Sequence, residues 1–184
     1  LKAKYENILK LIGETDWSDM PASPIDYVKG KVETAGFSIG EFTGRADGID
    51  YTGKTPRYYR RSAEERSKAQ TVRTEAAFND GSLDAAIGNE SAASGLSLHA
   101  GEKFADQRPR VDITWQAHRN VTTHVQLKYR VNRTGQTSKP EYRHFVPSLP
   151  AYVRPAAVLE SKLRDLNANT TADQSGLLKS GGAD

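Results

Sequence analysis

Two arginines in the second half of the chain have the residue type and spacing needed to act on phosphate groups. Arg130 and Arg133 are three residues apart, so they share a face if this segment is helical. A guanidinium offers several donors and keeps its charge, which suits the negative charge that spreads during phosphoryl transfer. Considered alone, such a pair is more often found in surface salt bridges. A second signal is therefore needed before the pair indicates a site.

A segment rich in small residues supplies that signal. Residues 86–100 read AIGNESAASGLSLHA. The apolar start predicts a buried strand, and Gly95 and Ser97 then indicate a tight turn. Small residues let a backbone approach a phosphate closely. The separation from Arg130 leaves room for a strand and a helix between the two segments.

A third segment matches a phosphate-binding pattern without the required context. Residues 48–55 (GIDYTGKT) satisfy G-x-x-x-x-G-K-[ST]. A working loop needs a buried strand before it and a helix that starts at the lysine, so that backbone amides face the phosphates. Residues 43–47 are polar, and Pro56 falls where an amide should donate. We therefore do not expect Lys54 to bind a nucleotide.

The elements that position these residues alternate between helix and strand. This alternation predicts an α/β fold, with a mainly parallel sheet flanked by helices. Helices are predicted at 1–12, 24–35, 62–78, 119–131 and 151–166, the first ended by Gly13 and the last interrupted near Pro155. Strands are predicted at 37–42, 83–88, 111–115 and 141–146, with the second and third largely buried. Residues 43–61 lack a period and predict a long loop.

The two phosphate-oriented segments resemble motifs of superfamily-two helicases, and most closely the C-terminal domain of Strawberry notch-like helicases. Residues 86–100 look like motif V, and residues 126–136 (QLKYRVNRTGQ) look like motif VI. Further similar segments are 24–26, 41–45, 78–81, 107–111, 149–151 and 154–156. Tyr129 departs from many relatives, which have glycine at this position.

The resemblance implies a RecA-like C-terminal motor lobe of an ATP-dependent helicase or translocase. Arg133 would be the principal arginine finger and Arg130 its partner. Nucleotide binding would involve Gln126, Gly95 and Glu90. Contacts with the nucleic-acid backbone, expected to be DNA, would come from Thr43, Gly44, Arg45, Ser94 and Ser97.

The resemblance also implies what this lobe needs from outside itself. ATP and Mg²⁺ would be bound mainly by an N-terminal RecA-like lobe of the same parent protein. Because Leu1 is not an initiator methionine, we expect a fragment. The resemblance implies that the usual first strand of the lobe lies before this residue. Residues 1–166 would form the lobe, and residues 167–184 a polar, flexible tail. Alone, the chain is expected to hydrolyse little or no ATP.

Composition sets the remaining limits. The 184 residues are 36% hydrophobic and 27% charged, with a net charge of +3 and no cysteine. These values suit one domain and exclude a disulfide scaffold and a cysteine nucleophile. Without a long apolar run or a secretory signal, we expect no membrane partner and a cytoplasmic location, in a bacterium or phage. The mild positive charge permits an anionic partner without requiring one.

Other functions remain as alternatives. A non-catalytic module could keep the shape of the lobe and hold nucleic acid or protein, for example in a phage or mobile-element protein. A self-sufficient nucleotidase would use Lys54 and would need an acid such as Asp112 for magnesium. The four histidines lack metal-ligand spacing and are expected at the surface or the edge of the core. Ser94 and Ser97 lack a G-x-S-x-G elbow, which disfavours a serine hydrolase.

Overall fold

The computed structural model describes residues 2–16, 20–93 and 95–171. Ser94 and residues 172–184 of the expected tail lie outside these ranges. The elements in chain order are α1 (Lys2–Glu14), α2 (Pro24–Thr34), β1 (Ile39–Phe42), β2 (Asp47–Asp50), β3 (Arg57–Arg60), α3 (Lys68–Asp80), β4 (Ala85–Gly88), β5 (Val111–Thr114), α4 (Val121–Val131), β6 (Glu141–His144) and α5 (Pro150–Thr171). A short 3₁₀ turn, Glu90–Ala93, follows β4. No helix in the described ranges is long and apolar enough to cross a bilayer.

Two parallel strand pairs form the frame of the fold. β1 pairs with β4, with Ile39 opposite Ala85, and β5 pairs with β6, with Val111 opposite Glu141. Parallel neighbours require long crossovers, and α3 and α4 supply a helix within each of them. The fold is therefore α/β, with short parallel strands flanked by helices, as predicted, and it is consistent with a RecA-like helicase lobe.

Several helix ends follow the local signals in the sequence. The side chain of Ser23 caps α2 by accepting from the amide of Asp26, and Gly36 adopts a φ of +86° just beyond the helix. The predicted start of α3 was wrong. Ser62 and Glu65 do form a reciprocal capping box, at 2.7 and 3.1 Å, but it closes only a turn. Ser67 provides a second cap, and α3 begins after it.

Within the predicted loop at 43–61, residues 47–60 form an antiparallel hairpin, β2–β3. Gly48, one of the glycines that interrupt the sequence period, permits this pairing. Gly48 lies opposite Tyr59, and a Cβ atom at Gly48 would come within 2.6 Å of the tyrosine ring. Lys54 lies in the turn between the two strands, and no helix begins there. The hairpin is thus not the strand–loop–helix unit that a phosphate-binding loop needs.

Three further expectations differ from the structure. α1 includes Gly13 and ends at Glu14, while α5 runs through Pro155 to Thr171. A proline near the start of a long helix removes one hydrogen bond without stopping the remaining turns. β5 leaves Val111 and Ile113 each 47% exposed, so this strand is not largely buried within the described part of the chain. Its one described partner strand is β6.

The central hydrophobic cluster is small and lies beside the predicted site. Phe42 at the end of β1, Ala92 after β4, and Leu96 form its buried part. Leu98 and Leu127 pack against it, the latter from α4. Burial of these side chains ties the segment after β4 to α4.

A histidine cluster lies beside the second strand pair. His124 on α4 is 1% exposed, and its ring lies 5.5 Å from that of His118 and 5.4 Å from that of His144 on β6. The expectation of surface or core-edge histidines was wrong for His124. Burial lowers its pKa to about 4, with a smaller contribution from the charge of Lys128. His124 is therefore neutral at pH 7.

We expect this histidine to make stability depend on pH. The unfolded chain takes up a proton near pH 6.5, whereas folded His124 resists protonation until about pH 4. The free energy of unfolding should therefore decrease as the pH falls through this window, with a slope approaching about 1.4 kcal/mol per pH unit. Urea denaturation of the wild type and of His124→Leu across pH 4–7 measures this contribution.

The His124→Leu substitution removes one group that takes up a proton on unfolding. The slope should therefore decrease by up to about 1.4 kcal/mol per pH unit. His144, whose pKa burial also lowers, should retain its own contribution. The matched variant His118→Gln changes a more accessible ring of the same cluster and serves as the control for replacing a histidine there. An unchanged slope in His124→Leu would contradict a buried, neutral imidazole at this position.

Candidate functional site

The two segments that resemble helicase motifs contact each other through one backbone oxygen. Nη1 of Arg130 and Nη2 of Arg133 both donate to the carbonyl oxygen of Leu96, at 3.1 and 2.9 Å. The amide of Leu98 donates to the carbonyl oxygen of Arg130 at 2.8 Å. Residues distant in sequence thus form one local arrangement, with two guanidinium groups side by side.

A left-handed turn presents this oxygen. Gly95 has a φ of +80°, a conformation that favours glycine. A Cβ atom there would meet nothing within 4 Å, so the backbone conformation, and not crowding, explains the glycine. The next side chain, Leu96, is 3% exposed and belongs to the small core. The turn is therefore anchored on one side while its carbonyl oxygen faces the arginines.

The ends of α4 determine where the two arginines lie. Asn120 caps the helix by accepting from the amide of Thr122 at 2.8 Å. The helix ends at Val131, so Arg130 lies in its last turn and Arg133 lies beyond it. The predicted shared helix face is therefore wrong in detail. The backbone amide of Arg133 instead donates to Oε1 of Gln136 at 2.9 Å.

The arginine pair brings positive charge to the surface. Arg133 is exposed and also donates through Nε to the carbonyl oxygen of Tyr129 at 3.4 Å. Arg130 is half-buried, and burial, followed by the charge of Arg133, lowers its pKa, while the charge of Glu75 on α3 acts in the opposite direction. The carbonyl oxygen that the two guanidinium groups share is neutral, so it cancels no formal charge. The arrangement therefore offers donors and charge to an anionic group.

The other predicted nucleotide-binding residues lie on the same segments. Glu90 begins the 3₁₀ turn after β4, and its Oε1 lies 3.8 Å from Nδ1 of His118. Gln126 lies on α4, one turn before Arg130, with an exposed side chain. The structure brings Gly95 next to the arginines, whereas a nucleotide-binding role for these three residues stays a prediction.

Ser97 is held by its neighbours on α3. Its backbone amide donates to Oε1 of Glu75 at 2.7 Å, and its carbonyl oxygen accepts from Nδ2 of Asn79 at 2.8 Å. Its hydroxyl lies 3.2 Å from Nδ1 of His99. Ser94, the other predicted serine, lies outside the described residues. Nucleic-acid contacts by either serine stay predictions.

Thr43, Gly44 and Arg45 follow β1, as predicted, and two of them belong to a buried polar network. Arg45 binds both Asp26 of α2 and Glu41 of β1, the latter at 2.7 Å from Nε. The hydroxyl of Thr43 donates to Glu41, whereas Gly44 is exposed. Arg45 thus has a structural role, and nucleic-acid binding by the three residues stays a prediction.

Glu41 is the centre of that network. Its carboxylate also binds Nη1 of Arg61 and Nζ of Lys29, each at 2.9 Å. Burial raises the pKa of Glu41, but hydrogen bonds from Arg45, Thr43 and Lys29 outweigh this effect and lower the pKa to about 2. The network joins α2, β1 and the residue that follows the hairpin.

A second buried pair, Asp106 and Arg110, is connected to Ser97 through Asn79 of α3. Nη1 of Arg110 lies 2.7 Å from Oδ2 of Asp106, and its guanidinium stacks 4.6 Å above the ring of Phe78. The amide of Asp106 donates to the carbonyl oxygen of Asn79, whose side chain holds Ser97. Sequence reasoning assigned no role to Asp26, Glu41, Arg61, Asp106 or Arg110. The available sequence signal was the family resemblance, which included residues 24–26, 41–45 and 107–111.

Within the described ranges, no group of three or more histidine, cysteine, aspartate or glutamate residues is arranged to hold a metal ion. The donors at the Leu96 carbonyl are guanidinium groups, which suit phosphate oxygens. The site geometry therefore favours an anionic ligand.

Comparison with known proteins agrees with this geometry. The family described as the C-terminal domain on Strawberry notch homologue matches residues 32–180. Protein strawberry notch of Drosophila melanogaster is 30% identical over 139 residues, which cover 74% of this chain and 8% of that protein. Protein FORGETTER 1 of Arabidopsis thaliana is 28% identical over 183 residues, which cover 95% of this chain and 14% of that protein. Human Protein strawberry notch homolog 1 is 33% identical over 97 residues, which cover 53% of this chain and 7% of that protein. The chain thus spans a small part of each of these relatives.

The network around Glu41 yields a stability prediction. Glu41→Gln should lower the free energy of unfolding at pH 7 by about 3 to 5 kcal/mol, because it leaves the half-buried Arg45 and the buried Arg61 without their shared countercharge. Urea denaturation measures the change. Glu141→Gln removes the same charge from an exposed pair with Arg143, which water and salt screen, and should have a much smaller effect on the free energy of unfolding.

The same network should respond to acid. The pKa of Glu41 is depressed in the folded state, so its contribution is complete above about pH 4.5 and is lost as the pH falls towards 2. Glu41→Gln should flatten the pH dependence of stability in this window. Similar small losses in Glu41→Gln and Glu141→Gln would contradict a stabilising network.

Proposed function

Because this chain belongs to the family of Strawberry notch C-terminal helicase domains, we propose that it is the C-terminal motor lobe of an ATP-dependent helicase or translocase acting on nucleic acid. DNA is the proposed substrate. The observation that supports this most directly is the convergence of Arg130 and Arg133 on the carbonyl oxygen of Leu96. The family match supports a helicase-related function, and the arginine pair gives that function a chemical basis.

Arg133 is the proposed arginine finger. It lies beyond the end of α4 on an exposed turn, so its side chain can rotate towards a phosphate presented from across a cleft. Its guanidinium would then stabilise the charge on the transferred group with several hydrogen bonds. The donor set present at this site fits phosphate oxygens.

Arg130 has a supporting part in this proposal. Its guanidinium is half-buried and bonded to Leu96, while its own carbonyl oxygen accepts from the amide of Leu98. These two contacts fix the end of α4 against the turn at Gly95. If Arg133 leaves the carbonyl oxygen of Leu96 for a phosphate, Arg130 can keep the turn in place.

ATP and Mg²⁺ are proposed to be bound mainly by an N-terminal RecA-like lobe of the same protein. Bound ATP supplies the phosphoryl group, and Mg²⁺ neutralises part of its charge. From this chain, Gly95, Glu90 and Gln126 would border the nucleotide. Thr43, Gly44, Arg45, Ser94 and Ser97 are proposed to contact the nucleic-acid backbone.

The turn at Gly95 is the proposed coupling element between these activities. It lies between the arginine pair and Ser97, which α3 holds through Glu75 and Asn79. When Arg133 binds or releases the carbonyl oxygen of Leu96, the turn would gain or lose a hydrogen bond. The constraints on Ser97, a proposed nucleic-acid contact, would therefore change. This connection would link the nucleotide state to the grip on the strand.

Nucleic-acid-stimulated ATPase activity of the complete gene product tests the proposal. Arg133→Ala should lower kcat by about a thousandfold or more, because the developing charge loses its guanidinium. Arg143→Ala, which removes an exposed arginine paired with Glu141, should retain activity. Lys54→Ala should also retain activity, since Lys54 lies in a hairpin turn.

The control readouts separate chemistry from folding. The Arg133→Ala variant should keep the wild-type circular dichroism spectrum and melting temperature. Loss of activity in Lys54→Ala alone would assign nucleotide binding to the hairpin. Absence of activity in every form, with nucleic-acid binding retained, would favour a non-catalytic interaction module.

A further inference from the structure

A basic pocket lies apart from the arginine pair. It is formed between the loop that follows β5 and one face of α5, and its volume is about 250 Å³. Three cationic residues line it, Arg119 from the loop and Arg154 and Lys162 from α5. Pro155 and Val158 contribute apolar surface. The pocket therefore combines positive charge with an apolar wall.

The helical spacing places the cations along one stripe. Arg154, Val158 and Lys162 are four residues apart and share a face of α5. The two cations are separated by about 12 Å along the helix axis. Leu159 is 3% exposed and anchors this face against the rest of the fold. The stripe is thus long enough to meet more than one phosphate of a strand, since the phosphates of each strand advance by about 3.4 Å along the axis of a duplex.

The loop and the helix are joined at the pocket. Nζ of Lys162 donates to the carbonyl oxygen of Arg119 at 3.2 Å. This contact holds the side chain of Lys162 across the gap, next to the segment that carries Arg119. The cationic groups are therefore organised around a common space.

The charges of the pocket are not balanced from within. No acidic residue lines it in the part of the chain that the structure describes. In the same ranges, no carboxylate forms an ion pair with Arg119, Arg154 or Lys162, whereas Arg164 of the same helix pairs with Glu160 one turn away. Neighbouring cations repel each other, and an anion placed among them relieves that repulsion.

The position of the pocket also favours a ligand. The loop leaves the carboxyl end of β5, which pairs in parallel with β6, and ligands of parallel sheets gather at such ends. His118 in this loop also lies 3.8 Å from Glu90, in the turn that leads towards Gly95. The pocket is therefore connected to the segment proposed to border the nucleotide.

We propose that this pocket binds phosphate groups of a nucleic-acid strand through Arg119, Arg154 and Lys162. Pro155 and Val158 would pack against the sugar between phosphates. The identification of the ligand as nucleic acid rests on the proposed function, while the phosphate chemistry rests on the pocket itself. The site is additional to the contacts proposed for Thr43–Arg45 and for Ser94 and Ser97.

Fluorescence anisotropy of a labelled single-stranded oligonucleotide with the complete gene product tests this site. The double variant Arg154→Gln/Lys162→Gln should bind about five- to twentyfold more weakly at moderate salt. The slope of log K against log salt should decrease in magnitude by about 0.7 for each phosphate that the variant no longer binds. The matched double variant Arg143→Gln/Arg164→Gln removes two arginines that are paired with carboxylates and should bind like the wild type.

A second variant keeps the test valid if the first fails to fold. Arg119→Gln leaves the backbone carbonyl oxygen that Lys162 binds, so it removes a charge and keeps that hydrogen bond. It should weaken oligonucleotide binding by about fivefold. Circular dichroism and melting temperature establish folding for each variant. Unchanged oligonucleotide binding in folded pocket variants, or equal losses in the matched control, would overturn the proposal.

Binding of a fluorescent ATP analogue distinguishes the two sources of phosphate. Its affinity should be unchanged in the pocket variants. If ATP affinity falls and oligonucleotide affinity does not, the pocket binds free nucleotide and the proposal is overturned. If Arg133→Ala retains ATPase activity while the pocket variants bind the oligonucleotide more weakly, the motor assignment fails and this site stands.

Discussion

The carbonyl oxygen of Leu96 is the contact on which the arrangement of the site depends. It accepts from both Arg130 and Arg133, and it can do so because Gly95 turns the backbone while the side chain of Leu96 enters the core. Without that oxygen, the two guanidinium groups would repel each other with no shared acceptor. The site is thus organised by a backbone group, whose position depends on packing beneath it.

Polar contacts position much of the surrounding structure, because few apolar side chains are buried in the part of the chain that the structure describes. Glu41 binds Lys29, Arg45 and Arg61. The pair formed by Asp106 and Arg110 contacts the end of α3, at Asn79 and Phe78. Buried ion pairs carry a desolvation cost and require specific geometry, so they favour one arrangement of the elements. They also make that arrangement sensitive to acid, as the low pKa of Glu41 shows.

The polar and charged residues that could bind a ligand follow the carboxyl ends of the parallel strands. β1 leads to Thr43–Arg45, β4 leads to Glu90 and Gly95, and β5 leads to the basic pocket at Arg119. Each of these segments starts where a strand of a parallel pair ends, so its first residues have a fixed position. This geometry would let one lobe provide the several phosphate contacts proposed above. It also explains why a nucleotide and a strand of nucleic acid could be sensed by neighbouring segments.

The sequence by itself determined the α/β class, the helix ends at Ser23 and Gly36, and the two segments that meet at the arginines. These features depend on local patterns, caps and motif spacing, which contacts between nearby residues encode. The hairpin at 47–60 was missed because Gly48 acts through a ring eleven residues away. Only the tertiary structure decided that Arg45 is held by Asp26 and Glu41, that His124 is buried, and that α5 closes a basic pocket. Ion pairing and burial depend on which surfaces pack together in the folded chain, and residue type and spacing do not specify these tertiary contacts.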